Sequence, residues 1–340
     1  MKPRNIAIAC GAAGVAVGLA AAAGIVYRKQ IKSVASLKRL TGYEDGYDLY
    51  AINIAYDYDL DRIIAAGVRD DQAYIDAVVA QVLPGVPAHV QAPQFACSAF
   101  VAVDAEGRVR TGRNYDFKDD TSALLVRNHP RDGYASIGFA ALNNLGDNTP
   151  LDSVGGRAAA LMGPFAQLDG VNECGVSIAV LTLDSKPCDQ DTQRPVINTS
   201  LAIRLVLDRA ATTQEAVDLL SAYDMHAMAG RDYHFFINDA AGDARVVEWD
   251  PRDPDRAFKA TPVRQVTNFY ACYGDEVLPN QKNGELGHGK ERAVAIADVL
   301  DAHAGAQDEA VAWKALRAAA QEPNPEDITS NTQWSVVFDN

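Results

Sequence analysis

The sequence predicts a layered α+β fold rather than a doubly wound parallel sheet. Two observations carry this: strand-like runs fall in antiparallel-looking hairpins, and helical periodicities arrive in pairs. The 340-residue length allows a substantial core, in one large domain or two modest ones.

The first thirty residues stand apart from that fold. Lys2 and Arg4 precede an uncharged, Ala/Gly-rich run of 23 residues from Asn5 to Tyr27, laid out as a signal peptide or a single membrane anchor. Ala21 to Ala23 offer a small-residue cleavage site, but the run is longer than the usual hydrophobic region of a signal peptide, about 7 to 15 residues. Arg28, Lys29, Lys32, Lys38 and Arg39 come directly after it, and such basic clusters tend to stay cytoplasmic, which argues against simple export. A buried Ala-rich helix is the third reading. Residues 1–30 are therefore expected to be a signal peptide or anchor, and the protein to be exported or membrane-anchored.

From Leu37 to Val82, extended aromatic-rich sequence (Tyr47 to Tyr58) gives way to a helical pattern over Asp71 to Val82. Between Leu83 and Phe95, Pro84, Pro87 and Pro93 discourage regular structure, and this linker-like stretch is the clearest boundary in the chain. Strand-like runs come next at Cys97 to Val103 and Arg108 to Arg113, joined by Asp104-Ala105-Glu106-Gly107 with glycine where a hairpin needs positive φ. Further strands are expected at Val176 to Leu183, His234 to Asn238, Arg245 to Trp249, Arg264 to Asn268 and Trp334 to Phe338. Helices are expected at Ser200 to Arg209, Gln214 to Ala222 and Glu291 to His303, the second opened by a capping-box pair, Thr212 and Glu215.

Composition narrows the chemistry. A net charge of −14 repels phosphate backbones, which excludes nucleic acid as a natural partner and favours small amides or peptides. The five cysteines are too scattered for a disulfide framework, and no two have metal or redox spacing. The six histidines show no i,i+4 pairing or acidic neighbour at zinc spacing, so neither metal nor cofactor is expected. Cys174, Cys188 and Cys272 read as small buried hydrophobes.

Cys97 reads differently because of its neighbours in sequence. In CSAFVAVDAEGRVRTGRNYDF, from Cys97 to Phe117, a thiol opens one strand while Arg113, Asn114 and Asp116 close its hairpin partner. Antiparallel pairing returns Arg113 and Asp116 to the thiol, where a cation lowers its pKa and a carboxylate holds a free α-amine. Taken singly, Arg113 and Asp116 read more simply as a solvated surface pair worth less than about 1 kcal/mol, and only their combination with Cys97 points elsewhere.

The stretch resembles the choloylglycine hydrolase family of N-terminal-nucleophile (Ntn) enzymes, which includes bile salt hydrolases and penicillin V acylases and, more distantly, N-acylethanolamine acid amidase and acid ceramidase. In that family a cysteine opens the mature chain and an Arg-Asn-x-Asp motif comes after it at this spacing. Leu168 to Leu183 resembles the family's Asp-Gly-x-Asn-Glu-x-Gly segment, Val266-Thr267-Asn268 its Thr-Asn pair, Glu291-Arg292 its late arginine, and Thr332 to Phe338 its late strand. Two departures stand out: Thr182 replaces an asparagine of the bile salt hydrolases, and the sequence closes at Asn340, directly after a strand, where the family continues into another.

The resemblance implies a four-layer αββα sandwich over residues 97–340, the Ntn hydrolase fold, preceded by a helical pro-segment at residues 31–96 and the hydrophobic segment at residues 1–30. It implies autocleavage between Ala96 and Cys97, with Cys97 as nucleophile and, through its freed α-amine, base. Arg113 and Asp116 would orient and tune it, Asn268 would serve the oxyanion, Thr182 could offer a backbone N–H there, and Arg292 would join the charged network. Asn172 is a candidate for substrate contact, with stabilisation of a turn before Gly175 as its plainer role.

An α-amine with an ordinary pKa near 8 can shuttle a proton where a peptide nitrogen cannot, so cleavage would switch the enzyme on. The long patterned segment before Cys97 is similar to the retained pro-segment of N-acylethanolamine acid amidase, so the expected substrates are lipophilic N-acyl amides, with conjugated bile salts or penicillin V as alternatives. Acyl transfer to an amine and an inactive acyl-binding protein are the competing functions. The sequence is compatible with membrane anchoring and with a homo-oligomer.

Overall fold

The computed structural model describes residues 27–44, 46–84, 95–145, 151, 153–282, 284–323 and 331–340, with residues 95 and 96 described by backbone alone. The expected signal or anchor run, up to residue 26, and most of the linker before Cys97 lie outside the described residues. No described helix is long and apolar enough to cross a membrane.

In chain order the strands are β1 (Lys38–Thr41), β2 (Leu49–Asn53), β3 (Phe95–Val103), β4 (Val109–Phe117), β5 (Ala123–Asn128), β6 (Ser136–Ala141), β7 (Asp169–Asn172) and β8 (Ser177–Leu183). They continue with β9 (Val196–Asn198), β10 (Asp224–His226), β11 (Asp232–Asn238), β12 (Ala244–Trp249), β13 (Phe258–Pro262), β14 (Gln265–Val266) and β15 (Asn331–Asp339). The α-helices are α1 (Arg28–Ala35), α2 (Leu60–Ala65), α3 (Asp71–Val82), α4 (Val154–Ala159), α5 (Thr199–Arg209), α6 (Thr213–Ser221), α7 (Lys290–Asp301) and α8 (Glu309–Ala319).

Nine strands form one sheet in the order β1-β2-β5-β6-β7-β8-β11-β12-β13, four form a second in the order β14-β3-β4-β15, and β9 pairs with β10. In the two large sheets every pairing is antiparallel except β2 with β5. The α+β expectation therefore holds. Helices α5 and α6 pack on β7, β8, β11 and β12, while β8 and β11 meet β3 across the interior and α7 and α8 cover the far side of β3 and β4. The successive layers are helix, nine-stranded sheet, four-stranded sheet, helix.

Period-2 alternation divides β3 between two cores. Cys97, Ala99 and Val101 join the large cluster between the sheets, whereas Phe100 and Ala102 pack with Ile296, Leu300, Ala312 and Leu316 beneath α7 and α8. Helix α3 forms over Asp71–Val82 as its periodicity predicts, capped by Asp70, which accepts from Ala73 N–H. Thr212 caps α6 by accepting from Glu215 N–H at 3.1 Å, and Glu215 accepts from Ala211 N–H at 2.8 Å. Thr212→Ala is expected to lower stability by about 1 kcal/mol in chemical denaturation.

Residues 31–84 are integral to these layers. Strands β1 and β2 form one edge of the nine-stranded sheet, and Ile52, Tyr56, Ile63, Tyr74 and Val78 are buried in the same cluster as Cys97. The Tyr58 hydroxyl donates to Asp208 at 2.8 Å and the Tyr74 hydroxyl to the Phe165 carbonyl at 2.9 Å.

Some boundaries differ from expectation. Strand β3 starts at Phe95, β4 runs on to Phe117, and the strand expected over Arg264 to Asn268 shrinks to β14. Strands β5, β6, β7 and β13 carry weaker sequence signals. In β6 the reason is visible: a Cβ at Gly138 would lie 2.1 Å from the Asp169 carbonyl oxygen, so close strand packing selects a residue with poor strand propensity.

Candidate active site

Cys97 is the third residue of β3, and the Ala96–Cys97 bond lies within the ladder, with Ala96 opposite Asp116 and Cys97 opposite Tyr115. The sequence places this bond at the end of an accessible linker; in the uncut chain it is part of a strand. Cys97 is fully buried. Its backbone is gripped on both sides: its N–H donates to Asn268 Oδ1 at 2.9 Å, and its carbonyl accepts from an Arg292 Nη at 2.9 Å.

Asn268 is the hub. Its Oδ1 also accepts from Arg292 at 2.7 Å, and its Nδ2 donates to the Thr182 carbonyl at 2.8 Å. In the uncut chain the amide expected to serve an oxyanion is thus occupied by Thr182 O. The Thr182 hydroxyl is buried without a hydrogen-bond partner among the described residues. Glycine is required next to this hub, because Gly289 has φ +82° and a Cβ there would lie 2.4 Å from an Arg292 nitrogen.

Arg113 and Asp116 are three positions apart, so alternation places them on opposite faces of β4. Arg113 shares the thiol's face, and its Nε donates to Asp169 Oδ2 at 2.6 Å, with both side chains fully buried. Its two terminal nitrogens meet no oxygen or nitrogen acceptor among the described residues, and the guanidinium faces the Cys97 thiol. Asp116 faces the α7–α8 side and accepts from Thr332 Oγ1 at 2.6 Å, Gln321 Nε2 at 2.7 Å and Arg292 at 3.2 Å. It is not the partner of the Cys97 nitrogen here; that place belongs to Asn268.

Electrostatics follow from burial. Desolvation pushes the Cys97 thiol up to about 11, against the pull of the Arg113 guanidinium and with Asp116 adding to the rise. Burial also raises the Asp116 and Asp169 carboxyls, opposed chiefly by Arg292 and Arg113 respectively. Burial works against the Arg113 charge, but Cys97 and Asp169 more than offset it. At pH 8 a thiol with a pKa near 11 is ionised in roughly one molecule in a thousand. In the uncut chain iodoacetamide is therefore expected to label half-buried Cys174 well before Cys97, read by peptide mass mapping.

Asn172 lies outside this cluster. Its Nδ2 donates to the Leu207 and Ala210 carbonyls, and its Oδ1 accepts from the Cys174 and Val176 N–H groups, so it holds the turn before β8. Three contributors receive no role from the sequence: buried Asp169 and half-buried Gln321 and Thr332, although Asp169 and Thr332 fall within segments that carry the resemblance. Asp169 carries a signal, as the Asp that opens the Asp-Gly-x-Asn-Glu-x-Gly segment; the other two meet Asp116 only through tertiary folding. Among the described residues no group of three or more His, Cys, Asp or Glu is placed to hold a metal ion. A cleft of about 570 Å³ beside Phe269, Tyr273 and Lys290 does not include Cys97.

A model of the acyl-coenzyme A:6-aminopenicillanic acid acyl-transferase family matches residues 103–335. Among solved structures, a penicillin V acylase from Agrobacterium tumefaciens superposes with a TM-score of 0.51 at 22% identity, covering 72% of this chain and 80% of that chain. A mutant conjugated bile acid hydrolase from Clostridium perfringens gives a TM-score of 0.53 at 15% identity, with 71% and 85% covered. A second variant of that hydrolase gives 0.51 at 15% identity, with 71% and 86% covered. At these identities the likeness is one of fold. No match was found among curated proteins.

Proposed function

Because the chain belongs to the acyl-coenzyme A:6-aminopenicillanic acid acyl-transferase family and shares its fold with penicillin V acylase and conjugated bile acid hydrolase, we propose that it is a self-activating thiol amidase acting on linear amide C–N bonds. The observation that carries the reading is the grip on Cys97, with its N–H on Asn268, its carbonyl on Arg292 and Arg113 on the thiol's face of the sheet.

Activation begins with attack of the Cys97 thiol on the Ala96 carbonyl. The C–N bond breaks, the Cys97 nitrogen takes up a proton, and water hydrolyses the resulting thioester to the Ala96 carboxylate and a free thiol. The new α-amine inherits the place of the peptide N–H beside Asn268 Oδ1. In turnover that amine accepts the thiol proton and passes it to the departing amine, while Asn268 Nδ2, released from Thr182 O, holds the oxyanion. Arg292 and Asp116 keep Asn268 and the strand end in register.

Lipophilic N-acyl amides remain the favoured substrates. An aromatic wall on the thiol's face supports this: Tyr115, opposite Cys97, stacks on Trp334 at 4.1 Å between ring centroids, with Phe117 and Phe139 beyond. Conjugated bile salts and penicillin V are the alternatives. Turnover of N-acylethanolamines, glycine- and taurine-conjugated bile acids and penicillin V, monitored by mass spectrometry, decides among them; no hydrolysis of any would return the acyl-binding reading. The matched family's description also favours a second reading, acyl transfer to an amine in place of water. An added amine acceptor would then appear acylated in the products.

Residues 31–96 act as a pro-segment that stays bound after cleavage. The shared sheet and core, together with the Tyr58–Asp208, Tyr74–Phe165 and Arg209–Asp61 hydrogen bonds, support this. The two pieces are expected to co-elute in size-exclusion chromatography and to separate only in denaturant.

A further inference from the structure

Asn268 belongs to no strand; it lies two residues beyond β14, and the segment 286–288 holds it from behind. The His288 N–H donates to the Asn268 carbonyl at 2.8 Å, Tyr270 N–H donates to the Leu286 carbonyl at 3.0 Å, and Phe269 bridges Gly287. The approach is close enough to need glycine: Gly287 has φ +97°, and a Cβ there would lie 2.1 Å from the Asn268 carbonyl oxygen. The same segment is tied to the strand that carries Thr182. His288 Nδ1 lies 2.7 Å from Asp184 Oδ2, and Asp184 is two residues beyond Thr182, whose carbonyl accepts from Asn268 Nδ2.

These contacts close a ring from the Thr182 backbone through Asp184, the His288 side chain and the His288 N–H to Asn268, and from its amide back to Thr182. We propose that the Asp184–His288 pair is a positioning element for Asn268, setting its carboxamide against the Cys97 nitrogen and the site of the oxyanion. The inference rests on the amidase reading above and deepens it. Neither side chain touches the nucleophile. The pair is roughly a quarter exposed, with 28% of the His288 and 23% of the Asp184 side-chain surface accessible, so it lies at the surface above a buried hub. The Asp184 carboxyl is held below its ordinary range, first by the His288 hydrogen bond. A structural pair serving only its own loop would leave kcat per folded molecule unchanged, whereas a pair that aims Asn268 changes kcat, because a misplacement of about 1 Å is felt in the transition state more than in substrate binding.

The test uses full-length wild type, His288→Ala, His288→Asn, Asp184→Ala and the double alanine variant, with self-cleavage tracked by intact mass and amide hydrolysis by steady-state kinetics. Each alanine variant is expected to lose about tenfold in self-cleavage rate and in kcat while KM stays within about twofold. His288→Asn, whose amide nitrogen can stand where Nδ1 stands, should recover most of the loss, and the double variant should be no worse than either single. Wild-type rates in His288→Ala, failure of His288→Asn to rescue, or multiplicative losses in the double variant would each overturn the proposal. Should wild type neither cut itself nor hydrolyse an amide, the amidase reading fails separately. Solvent exchange of the Asn268 side-chain amide by NMR then decides the positioning role, with faster exchange in His288→Ala expected and equal exchange contradicting it.

Discussion

Cys97→Ala leaves a single uncut chain and lowers amide turnover by at least about 10³-fold, measured against wild type at equal folded concentration. The size of the effect follows from two losses at one residue. In the proposed mechanism the variant lacks the sulfur that forms the acyl-enzyme, and without cleavage it also lacks the α-amine that manages the proton. Cys97→Ser would separate the two, since a hydroxyl can still be assisted by an amine but is a weaker nucleophile at neutral pH. Because Cys97 is buried beside Tyr115 in an intact ladder, either variant is expected to fold, and circular dichroism and thermal unfolding should match those of the precursor.

Arg113→Met is the substitution with the largest expected cost in stability, about 3 to 5 kcal/mol by chemical denaturation. It removes the partner of Asp169 from a site where both side chains are fully buried, leaving that carboxylate with the Phe139 N–H at 3.0 Å. The carboxyl pKa is already raised by burial and rises further without Arg113. Such a group binds its proton more readily folded than unfolded, so the deficit is full above the folded pKa and shrinks as pH falls through it. The double variant Arg113→Met/Asp169→Leu should regain most of the stability, since a matched apolar pair often replaces a buried ion pair at little cost. It should not regain activity, because the thiol has lost its cationic neighbour. Recovery of both would mean that Arg113 serves the fold alone.

Much of the architecture is legible in local sequence. The Asp71–Val82 helix, the turn at residues 104–107 and the capping pair at Thr212 and Glu215 are set by periodicity, glycine placement and short-range hydrogen bonds. The family resemblance is borne out by the family match over residues 103–335 and by the shared fold. Strands such as Ser136–Ala141 are not legible, because what makes them strands is the approach of another strand to a glycine.

The site divides in the same way. Cys97 and Arg113 can be placed together from the hairpin alone. Hairpin distance also suggests Asp116 as the partner of the Cys97 nitrogen, but the alternation of side chains sends it to the other face, where it meets Gln321 and Thr332. Asn268 reaches that nitrogen from 171 residues away along the chain, a contact that no local pattern encodes. The segment at residues 31–96 reads in the sequence as a separate piece, yet β1 and β2 complete the larger sheet, because strand pairing depends on an edge that β5 presents only after folding.

In the proposed mechanism activation turns on one bond, between Ala96 and Cys97. Intact mass spectrometry of purified wild-type protein, with N-terminal sequencing of the larger piece, measures it directly. Two pieces are expected, the larger beginning at Cys97. A single uncut chain that still hydrolyses amides would contradict the mechanism.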